Sequence, residues 1–491
     1  MTLIFKRKLA DLLPVDLVDG HADLCVTGIT QDSRQVRPGD LFCARSGGQF
    51  RGADFVEQAV ARGAVAVLLD ETEAVVGTTV PVIRVPDLAK QLSAIAGRFY
   101  GEPSSQLTIV GITGTNGKTS CSHFIAQALN GLGIRTAVIG TVGNGFPDAL
   151  RDASHTTPDA VGLQALLAEL LAEGAQAVVM EVSSHALDQY RVEGVRFNVA
   201  AFTNLSRDHL DYHGTMASYG AAKSRLFSDL RPDAVVINRD DAYAHELLPR
   251  CVARKVLTFS TCSGSEVDIY AANIQLNPQG ISAQLHARWG TTELNTAIVG
   301  RFNLSNLLLT YGVLHALDLN PGAIESQMNG LTPVPGRMQC LGGTDTPLVI
   351  VDYAHTPDAL ENALVAARQH TRQALVCVFG CGGDRDTGKR AEMGKVASQL
   401  ADRILVTSDN PRTEDPEQII QMIVEGCDHA ERCDSEIDRQ RAITAAISEA
   451  QMGDVVLVAG KGHENYQEVM GQKMPFDDVQ VVTRALEEWQ P

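Results

Sequence analysis

The feature that most restricts the fold is the hexapeptide Gly114-Thr115-Asn116-Gly117-Lys118-Thr119, set between an apolar run (107–112) and a helical pattern that continues to Leu129. The glycines let backbone N–H groups approach anionic oxygens, and the following helix contributes the partial positive charge of its N-terminus. Lys118 is placed to reach terminal phosphates and Thr119 to offer its hydroxyl to Mg²⁺. The strict eight-residue phosphate-loop pattern needs glycine where Ile112 stands, so the motif is weak alone. The strand–loop–helix context restores it over a structural glycine turn.

Apolar runs at 107–112, 177–182, 199–204 and 234–238 alternate with helical patterns, which argues for a parallel sheet with crossover helices. This block opens with a helical segment (88–100) and the break Gly101-Glu102-Pro103. The stretch 267–296 reads instead as short antiparallel strands, an insertion. A third block starts near Pro335-Gly336-Arg337, with strands at 348–352, 374–379, 403–407 and 454–459. Each is followed by Gly, Asp, Asn or His, where an open parallel sheet places its ligands. The first block holds strand-like runs at 64–69 and 80–85 with a helical pattern at 52–62. The expected fold is α/β in three domains: an N-terminal α/β domain (1–87), a central parallel-sheet phosphate-loop domain (88–335) and a C-terminal Rossmann-like domain (336–491). A length of 491 residues suits roughly three domains.

With 41 Lys and Arg against 59 Asp and Glu, the formal net charge of −18 argues against general binding to nucleic acid or to an acidic membrane. Local basic clusters can still hold an anionic small molecule. The ten cysteines form no framework, and Cys427, His429 and Cys433 fit no common zinc spacing. Scattered thiols suit a reducing cytosol. No signal-peptide core and no bilayer-length apolar run is present, so a cytoplasmic protein without membrane insertion is expected.

Glu181 ends a strand and suits a Mg²⁺ ligand, with a surface residue or helix cap as the alternative. The segment from Thr203 to Gly214 gathers Arg207, Asp208, His209, Asp211 and His213 after a strand. His209 is read as binding Mg²⁺ or orienting phosphate. Lys223 by itself is an ordinary helix-surface lysine.

These motifs, with Glu181-Val182-Ser183-Ser184-His185, Gly300-Arg301-Phe302-Asn303-Leu304-Ser305-Asn306, Pro335-Gly336-Arg337 and Asp352-Tyr353-Ala354-His355-Thr356-Pro357-Asp358, carry a resemblance across all three blocks. The chain resembles the Mur ligases, and within them the members that add the third residue of the peptidoglycan peptide. The resemblance implies that the first domain holds the UDP moiety, the central domain ATP and the last the incoming amino acid. It implies nucleotide contacts from Gly114 through Ser120 and from Asn303, Arg337 and Asp352. It also implies that Lys223 is carbamylated and joins Thr119 and Glu181 at Mg²⁺, with Lys118, Glu181, His209 and Lys223 as the catalytic set. For the UDP-N-acetylmuramoyl-L-alanyl-D-glutamate substrate it points to Ser33, Gly48, Gln49, Phe50, Thr156, Thr157, Ser183, Gln189 and Arg191. His155 stands there where a close relative is expected to have Asn.

The run Asp409-Asn410-Pro411-Arg412 matches the family's signature for meso-2,6-diaminopimelate. A guanidinium can pair the far carboxylate of that amino acid, whereas lysine would leave it unpaired. Arg385, Gly460 and Glu464 match other positions around the same ligand. The expected chemistry is ATP-driven acyl-phosphate formation followed by attack of the amine, in a monomer. The alternatives are a lysine-adding or folylpolyglutamate synthetase-like ligase, or a nucleotide-binding regulator needing neither Lys223 nor the Arg385, Arg412 and Glu464 cluster.

Overall fold

The computed structural model describes every residue except 1–4, 19, 48, 49, 76, 154, 263, 265, 278, 279 and 491. Gly48 and Gln49 therefore lie outside the described residues. Three sheets dominate, of four, eleven and six strands.

The central sheet is built on the parallel strands Thr136–Ile139, Ala177–Glu181, Thr108–Thr113, Val199–Phe202, Ala234–Asn238 and Lys255–Ser260, in that spatial order. Residues alternate between its two cores with the period of the pleat: Val110 and Ile112 face one, Ile109 the other. The first core takes the helices Lys118–Gly131 and Arg301–Ala316, the second Ala160–Ala172 and Met216–Ser228. Both faces are covered, as a parallel sheet requires. The antiparallel strands Ile269–Asn277, Gly280–Ala287 and Gly290–Thr296 are present as expected but form no separate insertion. Ile269 and Tyr270 pair in parallel with Phe259 and Ser260, so the meander extends the same sheet.

The first domain carries four parallel strands, Gly28–Thr30, Asp40–Ala44, Ala66–Asp70 and Val82–Val85. Helix Leu88–Tyr100 shares their core through Leu88, Leu92, Ile95 and Phe99, and that core also takes in Ala160 and Val161 of the central domain. The third sheet runs Gln339–Gly342, Leu348–Asp352, Val455–Ala459, Leu375–Phe379, Arg403–Thr407, Cys433–Glu436, parallel except for the first strand. A hairpin, Tyr466–Val469 and Gln472–Pro475, follows it. Among the described residues no helix is long and apolar enough to cross a membrane.

Candidate functional site

The loop after strand Thr108–Thr113 is shaped by close approach. Gly114 has φ 149°, and a Cβ there would lie 1.9 Å from the Thr203 hydroxyl; at Gly117, φ 85°, it would lie 2.5 Å from Asn306 Oδ1. Only glycine fits either position. The backbone N–H groups of Thr115 and Asn116 donate to the Asn204 carbonyl and side chain at 2.8 and 2.9 Å. Ile112 is buried inside the strand, opposite Glu181, so the loop proper begins after it.

Lys118 donates to the carbonyls of Gly114 and Thr115 at 3.0 and 2.7 Å. Lys223, 2% exposed, donates to Gly114 at 2.8 Å and lies over the Tyr219 ring. Burial pulls the Lys223 ammonium well below its ordinary range, and the charge of Lys118 adds to this. Lys118 is lowered too, by burial first. The helix surface expected for an ordinary lysine at 223 is thus a buried site beside the phosphate loop.

Thr119 joins the loop to two distant segments. Its hydroxyl donates to Glu181 Oε1 at 2.9 Å and accepts from Arg337 Nη2 at 3.1 Å. Glu181 is 1% exposed and also accepts from the Thr141 amide and hydroxyl. Arg337 stacks over Tyr353, and its Nε is buried without an acceptor among the described residues. With Ser120 and Asn303 it lines a narrow slot beside the phosphate loop. Asp352 acts differently: its oxygens accept the backbone N–H groups of Met338 and Ala354, both at 2.8 Å, pinning the segment that carries Arg337.

A cleft of about 910 Å³ opens between the central and C-terminal domains. Its central-domain wall carries His155, Thr156, Thr157, Ser183 and Arg191. Thr157 donates to the Glu181 carbonyl at 2.9 Å and accepts from the Ser183 amide. Arg191 donates to the Thr157 carbonyl and, by Nε and Nη2, to Gln189 Oε1. Burial, then the charge of Arg45, lowers the Arg191 guanidinium. Ser33 and Phe50 do not line this cleft: Ser33 bonds Gln58 at 2.7 Å, and Phe50 is exposed against Phe55.

The opposite wall carries Arg385, Arg412 and Glu464, and an adjoining cavity of about 340 Å³ adds Asp409, Asn410 and Gly460. Pro411 is buried in the same loop, and Arg412 takes a left-handed φ of 52°. Arg412 Nη1 donates to the Gly383 carbonyl at 2.8 Å, and its Nε lies 3.3 Å from the Glu468 carboxylate. His209, also left-handed at φ 53°, lines both cavities and is drawn down to about 4 by burial. Such backbone outliers cluster at functional sites.

Three residues at this site escaped the sequence reading. Arg45 reaches from the first domain to the Gln189 carbonyl at 3.4 Å. Asp358 accepts from Asn116 at 2.7 Å and Ser206 at 3.2 Å, tying the C-terminal domain to the phosphate loop. Lys461 is enclosed among Asp409, Asn410 and Glu464. Asp358 stands inside a motif already singled out and Lys461 between the singled-out Gly460 and Glu464, which was the available signal; Arg45 had none.

Known families match the three lobes in order: residues 25–100 the catalytic domain of the Mur ligase family, 112–314 the Mur ligase middle domain, and 336–462 the Mur ligase glutamate ligase domain. The UDP-N-acetylmuramoyl-L-alanyl-D-glutamate–2,6-diaminopimelate ligase of Ectopseudomonas mendocina is 49% identical over 484 residues, 98% of each chain. That of Pseudomonas aeruginosa is 49% identical over 470 residues, covering 95% of this chain and 96% of its own. A solved structure of a ligase of that name matches at TM-score 0.72 and 37% identity over 99% of each chain.

Proposed function

The chain belongs to the Mur ligase family, and from that premise we propose that it joins meso-2,6-diaminopimelate to UDP-N-acetylmuramoyl-L-alanyl-D-glutamate at the expense of ATP. The observation that carries the reading is the single cleft with Thr156, Thr157, Ser183 and Arg191 on one wall and Arg385, Arg412 and Glu464 on the other. An anionic peptide carboxylate and a second amino acid can meet there beside the phosphate loop.

A carboxylate is a poor electrophile. Transfer of the γ-phosphoryl group of ATP to the side-chain carboxylate of the D-glutamyl residue gives an acyl phosphate and ADP. The amine of diaminopimelate then attacks the carbonyl carbon, the C–O bond to phosphate breaks, and one proton leaves the nitrogen. Gly114 to Ser120 hold the phosphates, with Lys118 turning from loop carbonyls to the transferring group. Arg337, whose Nε lacks an acceptor among the described residues, adds a second cation there. Asn303 borders the nucleotide with Ser120, while Asp352 holds the segment bearing Arg337. Mg²⁺ fits the hard oxygen donors Thr119 and Glu181 and, when bound, neutralises charge on the phosphoryl group. CO₂ would add to Lys223 as the neutral amine, with one proton leaving the nitrogen, and the carbamate oxygens would join that donor set. His209, neutral at pH 7, orients groups between the two cavities.

Ser33, Gly48, Gln49 and Phe50 belong to the UDP end of the substrate and His155, Thr156, Thr157, Ser183, Gln189 and Arg191 to its peptide end. Asp409, Asn410, Pro411, Arg412, Arg385, Gly460 and Glu464 take the amino acid. The domains divide this labour as 1–87, 88–335 and 336–491, in a cytoplasmic monomer. Substrate labelled with ¹⁸O in the D-glutamyl side-chain carboxyl tests the route. One labelled oxygen should appear in the phosphate released; unlabelled phosphate would rule out the acyl phosphate.

A further inference from the structure

Lys461 has no exposed surface, yet its ammonium reaches three side chains of the amino-acid site. It donates to Asn410 Oδ1 at 3.1 Å and to Glu464 Oε2 at 3.0 Å, and lies 3.8 Å from Asp409 Oδ1. Gly460 and Gly462 flank it at φ 116° and 53°, and a Cβ at Gly460 would sit 2.5 Å from Asp409 Oδ2. The two glycines let the backbone turn the lysine inward, beneath the site. A fully enclosed ammonium makes no contact with a ligand.

Its effect is on the groups that do. Asn410 Oδ1 accepts from Lys461 and, at 2.9 Å, from the backbone N–H of Glu468. An amide oxygen has two lone pairs, so this one is saturated. A flipped amide would set its NH₂ against an ammonium and an N–H, so the orientation is determined. Asn410 Nδ2 gives one hydrogen to Glu464 Oε2 at 2.8 Å and keeps the other. Glu464 Oε2 thus accepts twice, while among the described residues Oε1 has only the Tyr353 hydroxyl at 3.5 Å. The site is sorted into a donor end, Asn410 with Arg412, and an acceptor end, Glu464 Oε1.

Resting on the proposed function, we propose that Lys461 is a positioning residue that sets the polarity of the amino-acid site, and with it the selection of an amino acid whose far end carries both an ammonium and a carboxylate. Without the ammonium, Asn410 Oδ1 keeps the Glu468 N–H as its remaining donor among the described residues, and Asp409 and Glu464 lose the cation that both approach.

The test compares wild type, Lys461→Met and Lys461→Gln in steady-state coupling with meso-diaminopimelate and with L-lysine. For Lys461→Met, KM for diaminopimelate should rise about ten-fold or more, and the kcat/KM preference for diaminopimelate over lysine should fall by a similar factor, since a buried donor is removed. KM for ATP should stay within about two-fold, and ADP should raise the melting temperature as it does for wild type. Lys461→Gln, which keeps amide N–H donors but loses the positive charge and some reach, should lose part of the preference. It carries the test if the methionine variant does not accumulate as folded protein. Unchanged preference, or a loss shared equally by ATP, diaminopimelate and lysine, overturns the assignment. Failure of the wild type to couple diaminopimelate would instead overturn the proposed function.

Discussion

Lys118 and Lys223 donate to the same acceptor, the carbonyl oxygen of Gly114, at 3.0 and 2.8 Å. Two ammonium groups on one oxygen repel each other in a buried site, and burial with the charge of Lys118 loosens the Lys223 proton. The proposed addition of CO₂ to the neutral Lys223 amine would replace that repulsion by attraction, because a carbamate is an anion.

Lys223→Ala should therefore abolish turnover, by a factor on the order of 10²–10³, as expected when a charged group at a phosphoryl-transfer site is lost. Formate or acetate should restore part of the rate by occupying the vacated volume with a carboxylate. Activity assays with and without these anions check it. Full activity in Lys223→Ala removes the carbamate from the account.

Arg412→Lys should depress kcat/KM for diaminopimelate by roughly ten- to a hundred-fold, since an ammonium cannot reproduce the planar fork. KM for ATP should change little, because Arg412 lies on the wall opposite the central domain. Equal losses for both substrates would contradict the role.

Arg439 and Asp478 form a bidentate ion pair at 2.8 and 2.7 Å with neither side chain exposed, and Arg439 also donates to the Ala459 carbonyl. This pair anchors the strand end from which Gly460 to Glu464 extend. Arg439→Met leaves a buried carboxylate unpaired and should cost about 3–5 kcal/mol in denaturant unfolding. The double variant with Asp478→Leu should recover much of that loss; no recovery would show that packing rather than charge dominates.

Stability should fall on acidification below neutrality. His315 is held down to about 4 from its ordinary 6.5 by burial, then by the charge of Lys255, and its Nε2 accepts from the Trp289 indole at 3.0 Å. His185 and His209 are likewise drawn to about 4. The unfolded chain binds these protons more tightly, so their contribution is complete above pH 6.5 and drains as pH falls toward 4. Melting temperature between pH 7 and 4.5 should drop, less steeply for His315→Gln, which can still accept from Trp289. An identical slope would exclude His315.

Much of this was legible in the chain. Strands Ala234–Asn238, Leu348–Asp352 and Arg403–Thr407 and helix Leu88–Tyr100 lie where the apolar pattern put them, because buried parallel strands read as unbroken apolar runs. Thr136–Ile139 went unread: it is four residues long and has little pattern of its own. The meander at 269–296 showed its alternation but not its pairing partner, since register between distant strands is a tertiary choice. At the site, the phosphate loop announces itself locally. Asp358 against Asn116, or Lys461 beneath Asn410, becomes visible only when residues hundreds or tens of positions apart are brought together.

The most direct measurement is phosphate release by the purified protein with ATP, Mg²⁺ and UDP-N-acetylmuramoyl-L-alanyl-D-glutamate, comparing meso-diaminopimelate with L-lysine as the acceptor. Diaminopimelate should yield phosphate and UDP-tripeptide in equal amounts, with lysine slower by about 10⁴-fold or more, in the range set by an unpaired buried polar site. Equal use of lysine, or ATP binding with no coupling of either amino acid, would contradict the account.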